Sequence, residues 1–167
     1  MTGSIKRFLL HLFSGPWLVR WNFSASAMFN IEKTIEHSER SHSGQICFVV
    51  EAGLHPYHIL TGLSPRTRAL DVFSGMRVWD TEQNNGVLIY LLMADHDVEI
   101  VADRGINLRV PAEIWEQICH DMEQQFAEGR FEAGLLHGVE RISQLLHQHF
   151  PANQNNENEL PNQPILI

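Results

Sequence analysis

Eight consecutive residues, 86–93 (Gly-Val-Leu-Ile-Tyr-Leu-Leu-Met), carry no charge and place apolar side chains on both faces of a pleated strand. A strand with one wet face alternates apolar and polar residues, so this run predicts a central strand covered on both sides. Residues 98–102 form a second apolar stretch, with Glu99 its single charge. The four residues between, Ala94-Asp95-His96-Asp97, are short enough for a hairpin turn. The second strand then returns to where the first began. Asp103 and Arg104 thereby come to lie beside Asp80, Glu82, Asn84 and Asn85 at one sheet edge.

A chain of 167 residues with 44% hydrophobic content supplies one ordinary core. The formal charge of −8 includes only two lysines, Lys6 and Lys33, leaving no basic stripe for a phosphate backbone. This argues against nucleic acid and disfavours anionic membranes, whereas a cation would be attracted. Cys47 and Cys119 stand alone and read as buried reduced thiols. The apolar run after Lys6-Arg7 is cut by His11 and Ser14-Gly15-Pro16, too short for a membrane span or a signal peptide. The cytoplasm is the expected location, with any membrane association made through a partner.

Residues 4–13 fit a short amphipathic helix, followed by the bulky segment Trp17, Leu18, Trp21 and Phe23. That segment reads as a lid on the core or, secondarily, as a docking surface for a membrane or protein partner. Met28, Ile31 and Ile35 at helical spacing predict a helix over 26–40, and Ile46 to Val50 a first core strand. A helix over 64–76 completes a right-handed parallel β-α-β unit. Pro111 opens a further helix that Gly129 closes, and a last helix runs over 131–149 until Pro151. The expected fold is α/β: a central mixed sheet, a parallel β-α-β pair plus an antiparallel hairpin strand, flanked by about four helices in three α/β/α layers. The chain divides into a lead-in (1–25), one domain (26–150) and an Asn/Pro-rich tail (151–167). The polar tract 153–156 is expected to be mobile and the apolar end at Ile165 to Ile167 to dock.

The helix over 26–40 must end where the first strand begins, which adds Glu39 and His42 to the sheet edge. Carboxylates and amides in such a mixture suit a hard cation, Ca²⁺ or Mg²⁺, better than zinc. The bland alternative is that Asp80 and Asn84 cap turns and Asp103-Arg104 is an ordinary ion pair. Asp95-His96-Asp97 resembles two motifs and fails both. An EF-hand loop would need glycine where Ile100 stands, and a haloacid-dehalogenase-type phosphatase needs a lysine downstream, yet none follows Lys33. A polar hairpin tip is the better account. Ten histidines show no His-Glu-x-x-His spacing, and there is no nucleophile elbow or phosphate loop.

Several of these stretches together resemble the TPM domain family, whose founders are a thylakoid lumen phosphatase, a photosystem repair protein and a nematode receptor regulator. The matching pieces are Ile31 through Glu39 leading into Gly44-Gln45-Ile46, Asn84-Asn85-Gly86-Val87-Leu88-Ile89, Val98-Glu99-Ile100-Val101 and Asp103-Arg104-Gly105-Ile106. Trp115 and Phe131-Glu132-Ala133-Gly134-Leu135 extend the match over roughly residues 25–150. Val78-Trp79-Asp80-Thr81-Glu82 and Asn158-Glu159-Leu160-Pro161 are similar to a short proteobacterial branch.

The resemblance implies a mixed sheet between helices, a divalent cation near the strand edge, and weak acid phosphatase activity in at least one plant relative. The plant sequences open this strand with Asp-Asn-Gly where Asn84-Asn85-Gly86 stands here, so one carboxylate is gone. Bacterial members are often associated with LemA-type envelope proteins. The expected function is therefore a cation-binding and protein-interaction module in envelope or membrane-protein homeostasis. Its metal ligands would be drawn from Glu39, Asp80, Glu82, Asn84, Asn85 and Asp103. The alternative is a metal-dependent phosphomonoesterase with Asp80, Asp103 and Arg104 as its catalytic residues.

Overall fold

The computed structural model describes residues 2–152 and 157–167, so the polar tract 153–156 lies outside the described residues. Its four-stranded mixed sheet is built from β1 (Gln45–Glu51), β2 (Gly86–Leu92), β3 (Asp97–Ala102) and β4 (Ile165–Leu166), in the order β3-β2-β1-β4. β1 runs parallel to β2 with Gln45 opposite Gly86, and β3 returns antiparallel with Ala102 opposite Val87. Every residue of β1 and β2 is buried, as expected of strands covered on both faces.

The alternation of side chains divides the core in two. Ile46, Phe48 and Val50 of β1, with Val87, Ile89 and Leu91 of β2, face one helical layer; Cys47, Val49, Leu88, Tyr90 and Leu92 face the other. The first layer is α3 (Ala25–Ser38), α7 (Ala112–Ala127) and α8 (Phe131–His149). The second holds α1 (Thr2–Leu12), α4 (Pro56–Leu60) and the β1–β2 crossover helix α5 (Pro65–Gly75). Two short helices, α2 (Pro16–Asn22) and α6 (Arg104–Asn107), bring the described helices to eight; α2, α4 and α6 are the three short ones that the sequence pattern does not predict. The bulky segment around Trp17 is thus helical, and it anchors through Val19 and Phe23 in the first core half.

Helix starts follow local chemistry. Ser24 and Ser64 accept backbone N–H groups from Ala27 and Thr67 at 3.1 Å, and Pro16, Pro56 and Pro65 occupy first turns where no N–H is required. Pro111 caps α7 from just outside rather than opening it. Cys47 and Cys119 are free, and burial pushes their thiols up to about 11 and about 12. The C-terminal end docks as expected: Ile165 pairs with Val49, Leu166 with Val50, and Leu160 is buried.

Candidate functional site at the asparagine edge

Parallel β1 and β2 begin at the same end of the sheet where β3 finishes, so three backbone ends meet there. Asp103 N–H donates to Gly86 O at 2.8 Å, Gly105 N–H to Asn84 O at 2.9 Å, and Gln45 N–H to Asn85 O at 3.4 Å. The approach is close enough to require glycine. A Cβ on Gly86 would stand 2.0 Å from Val78 O, and one on Gly105 2.4 Å from Asn84 O. Asn84 itself has φ +53°, a left-handed conformation that asparagine tolerates better than most side chains.

Asn85 is fully buried. Its Nδ2 donates to Ser43 O at 3.0 Å, which fixes the amide orientation, and its backbone N–H donates to Thr81 Oγ1 at 3.1 Å. The amide oxygen Oδ1 is left buried with no hydrogen-bond partner among the described residues. Asp103 is 7% exposed; its Oδ1 accepts Arg104 N–H at 2.7 Å, while Oδ2 is likewise buried and unsatisfied. Buried acceptors are almost always paired, so two orphan oxygens at one strand edge call for an explanation. Arg104 is exposed and donates through Nε to Asn84 Oδ1 at 3.0 Å.

The edge therefore joins Asn84, Asn85, Asp103 and Arg104 as the strand geometry predicts, and adds Thr81, Ser43 and Gln83, whose Oε1 accepts the Ser43 hydroxyl at 3.0 Å. Sequence reasoning missed these three because neutral hydroxyls and amides carry no motif.

The remaining candidates do not join them. Glu39 lines a separate cleft with Gln45, Glu157 and Asn162, and its Oε1 accepts Ile46 N–H at 2.9 Å. Burial raises its pKa to about 7, against the opposing hydrogen bonds from Ile46 and Asn162. His42 is buried where residues 41–43 pair with 150–152; its Nδ1 donates to Gly44 O at 3.0 Å and burial lowers its pKa to about 4. Asp80 and Glu82 are exposed on the preceding turn, and Glu82 N–H donates to Glu159 Oε2 at 2.9 Å. Among the described residues no three His, Cys, Asp or Glu side chains gather into a metal-holding group. The expected convergence of carboxylates gives way to one aspartate among amides. The physical reason is local: Glu39 is engaged by Ile46 N–H and Asn162 at its own cleft, and Asp80 and Glu82 stand on an exposed turn.

The model of the TPM domain matches residues 22–145. The chain belongs to the TPM domain family. The TPM match begins inside α2, leaving α1 outside it. Among solved structures, the TPM chain is similar to the BA42 protein of the psychrophilic bacterium Bizionia argentinensis, at 30% identity and TM-score 0.77. That similarity covers 87% of this chain and 95% of the other. It also shares its fold with the N-terminal domain of a protein from P. gingivalis, at 20% identity and TM-score 0.61, over 79% of this chain and 83% of that one. No curated protein matches.

Proposed function

We propose that this TPM domain binds a hard divalent cation, Ca²⁺ or Mg²⁺, at the asparagine edge and serves as a protein-interaction module in envelope or membrane-protein homeostasis. The observation that carries the cation is the pair of buried, unsatisfied oxygens, Asp103 Oδ2 and Asn85 Oδ1. Both are oxygen donors of the kind these ions take. Asp80 and Glu82, exposed nearby, add long-range attraction for a cation. With a single buried carboxylate the affinity belongs to the weak range, on the order of 10⁻⁴–10⁻³ M. The interaction role is supported by family membership and by the association of bacterial relatives with LemA-type envelope proteins.

Calcium and magnesium titrations followed by amide NMR test the site. Shifts should concentrate at residues 84–86 and 103–105 and disappear in Asp103→Asn. Silence at those amides in millimolar metal overturns the cation reading. Phosphate release from a generic ester, abolished by both Asp80→Asn and Asp103→Asn, would transfer the site to hydrolysis instead. For the interaction role, a purified LemA-type envelope protein should bind the domain more tightly with the cation than in EDTA.

A further inference from the structure

Helix α1 is docked the wrong way round for a soluble amphipathic helix. Its buried face holds His11 and half-buried Arg7, which bind Asp95 at the β2–β3 turn, together with Phe8. Its apolar residues Ile5, Leu9, Leu10, Leu12 and Phe13 are exposed. Helix α2 continues the pattern: Val19 is buried, while Trp17 is 57% and Trp21 82% exposed. Leu9, Leu10, Phe13, Trp17 and Leu18 line one cleft of about 410 Å³ with Lys6, so the apolar surface is contiguous rather than scattered. Contiguous exposed apolar surface on this scale marks a docking site.

Charge identifies what docks. The first Asp or Glu in the chain is Glu32; before it stand Lys6, Arg7 and Arg20. The chain's net −8 thus divides into +3 over residues 1–31 and −11 over the remainder (9 basic against 20 acidic). Asp95, the carboxylate touching α1, is matched by Arg7, while Lys6 and Arg20 are exposed beside the apolar face. Exposed tryptophans flanked by long basic side chains are the chemistry of the bilayer interface. The rings enter the headgroup region and the ammonium or guanidinium groups reach anionic phosphates. Acidic groups farther than the Debye length, about 10 Å at 0.1 M salt, are screened; nearer ones would turn the rest of the domain away from the surface. Among the described residues no helix is long and apolar enough to cross a membrane, so contact would be interfacial.

We propose that α1 and α2 form a peripheral docking element for an anionic lipid surface, with Phe13, Trp17 and Trp21 inserting and Lys6 and Arg20 pairing with headgroups. The element is independent of the cation site. The test is co-sedimentation of the full chain with vesicles of phosphatidylglycerol and phosphatidylcholine, against phosphatidylcholine alone, in EDTA. Binding should require the anionic lipid and weaken with salt. It should fall about tenfold in Phe13→Ser/Trp21→Ser and roughly fivefold in Lys6→Ala. Asp103→Asn should bind as wild type, which separates this result from failure of the cation reading. Circular dichroism confirms that the exposed-site variants are folded. Absence of binding at low salt, or undiminished binding by the double variant, overturns the proposal. Concentration-dependent self-association lost in the double variant, without vesicle binding, overturns it in favour of a second copy.

Discussion

Arg7 grips Asp95 across 88 residues of sequence, Nε to Oδ2 at 3.0 Å and Nη2 to Oδ2 at 2.8 Å, with a further Nε contact to Oδ1 at 3.2 Å. His11 completes the clamp. Its Nδ1 accepts Leu54 N–H at 2.9 Å, so the proton sits on Nε2 and is donated to Asp95 Oδ1 at 3.0 Å. The motif-like hairpin tip is thus the anchor of α1.

Asp95→Asn should free α1 without unfolding the sheet. Burial alone would raise the Asp95 pKa, but hydrogen bonds from Arg7 and His11 overcome it and hold the carboxyl below its ordinary value. The stability it supplies is therefore present at neutral pH and lost as pH falls through the folded pKa. Replacing the charge should cost about 2–3 kcal/mol. Hydrogen exchange should accelerate over residues 5–12 while β1 and β2 stay protected.

At the same end of the sheet, Glu51, the last residue of β1, is buried between Arg68, bound at 2.8 and 3.1 Å, and the Tyr90 hydroxyl, which donates at 2.6 Å. Arg68→Ala strips the positive partner from a buried carboxylate and should cost about 3–5 kcal/mol in urea denaturation. Replacing Glu51 by Gln in the same chain should recover part of that loss.

Gly86→Ala meets backbone rather than a movable side chain, Val78 O at 2.0 Å. The turn must move, and the expected cost is at least about 3 kcal/mol. Gly75→Ala, with open space around its Cβ, serves as control and should change the melting temperature little.

Glu39 gives the domain an unusual pH response. Its proton is held more tightly in the folded chain, so its contribution is full below the ordinary 4.5 and gone above about 7. His42 works in the opposite sense: it is kept neutral in the fold, and its contribution is full above 6.5 and lost as pH falls through about 4. Glu39→Gln should therefore leave stability near pH 4.5 almost unchanged. Near pH 7.5 it should raise stability by on the order of 2 kcal/mol. Urea melts of variant and parent at the two pH values measure that difference.

The central strands and the last helix were legible because their patterns are local: residues 86–93 are apolar on both faces, and Leu135, Val139, Ile142 and Leu146 keep helical spacing and are all buried. Helix α2 was obscured by its own composition. Val19 and Phe23 are four residues apart, but the intervening Trp21 is bulkier and faces outward. Half of the candidate site followed from hairpin geometry, which necessarily returns Asp103 to Asn84. Glu39 did not follow, because its cleft is completed by Glu157 and Asn162, and no short-range pattern announces a contact across more than 100 residues. The Arg7–His11–Asp95 clamp was invisible for the same reason.

The strap over β1 bears on how the chain is made. Gln45 holds residues 157–160 through its side chain, accepting Glu159 and Leu160 N–H at 2.9 and 3.2 Å and donating to Glu157 O at 3.2 Å; Ile165 and Leu166 then close the strand edge. During synthesis β1 and β2 can pair long before these residues emerge from the ribosome. Until then the nascent sheet carries an uncovered hydrophobic edge, the kind of surface on which a neighbouring nascent chain can add its own strand.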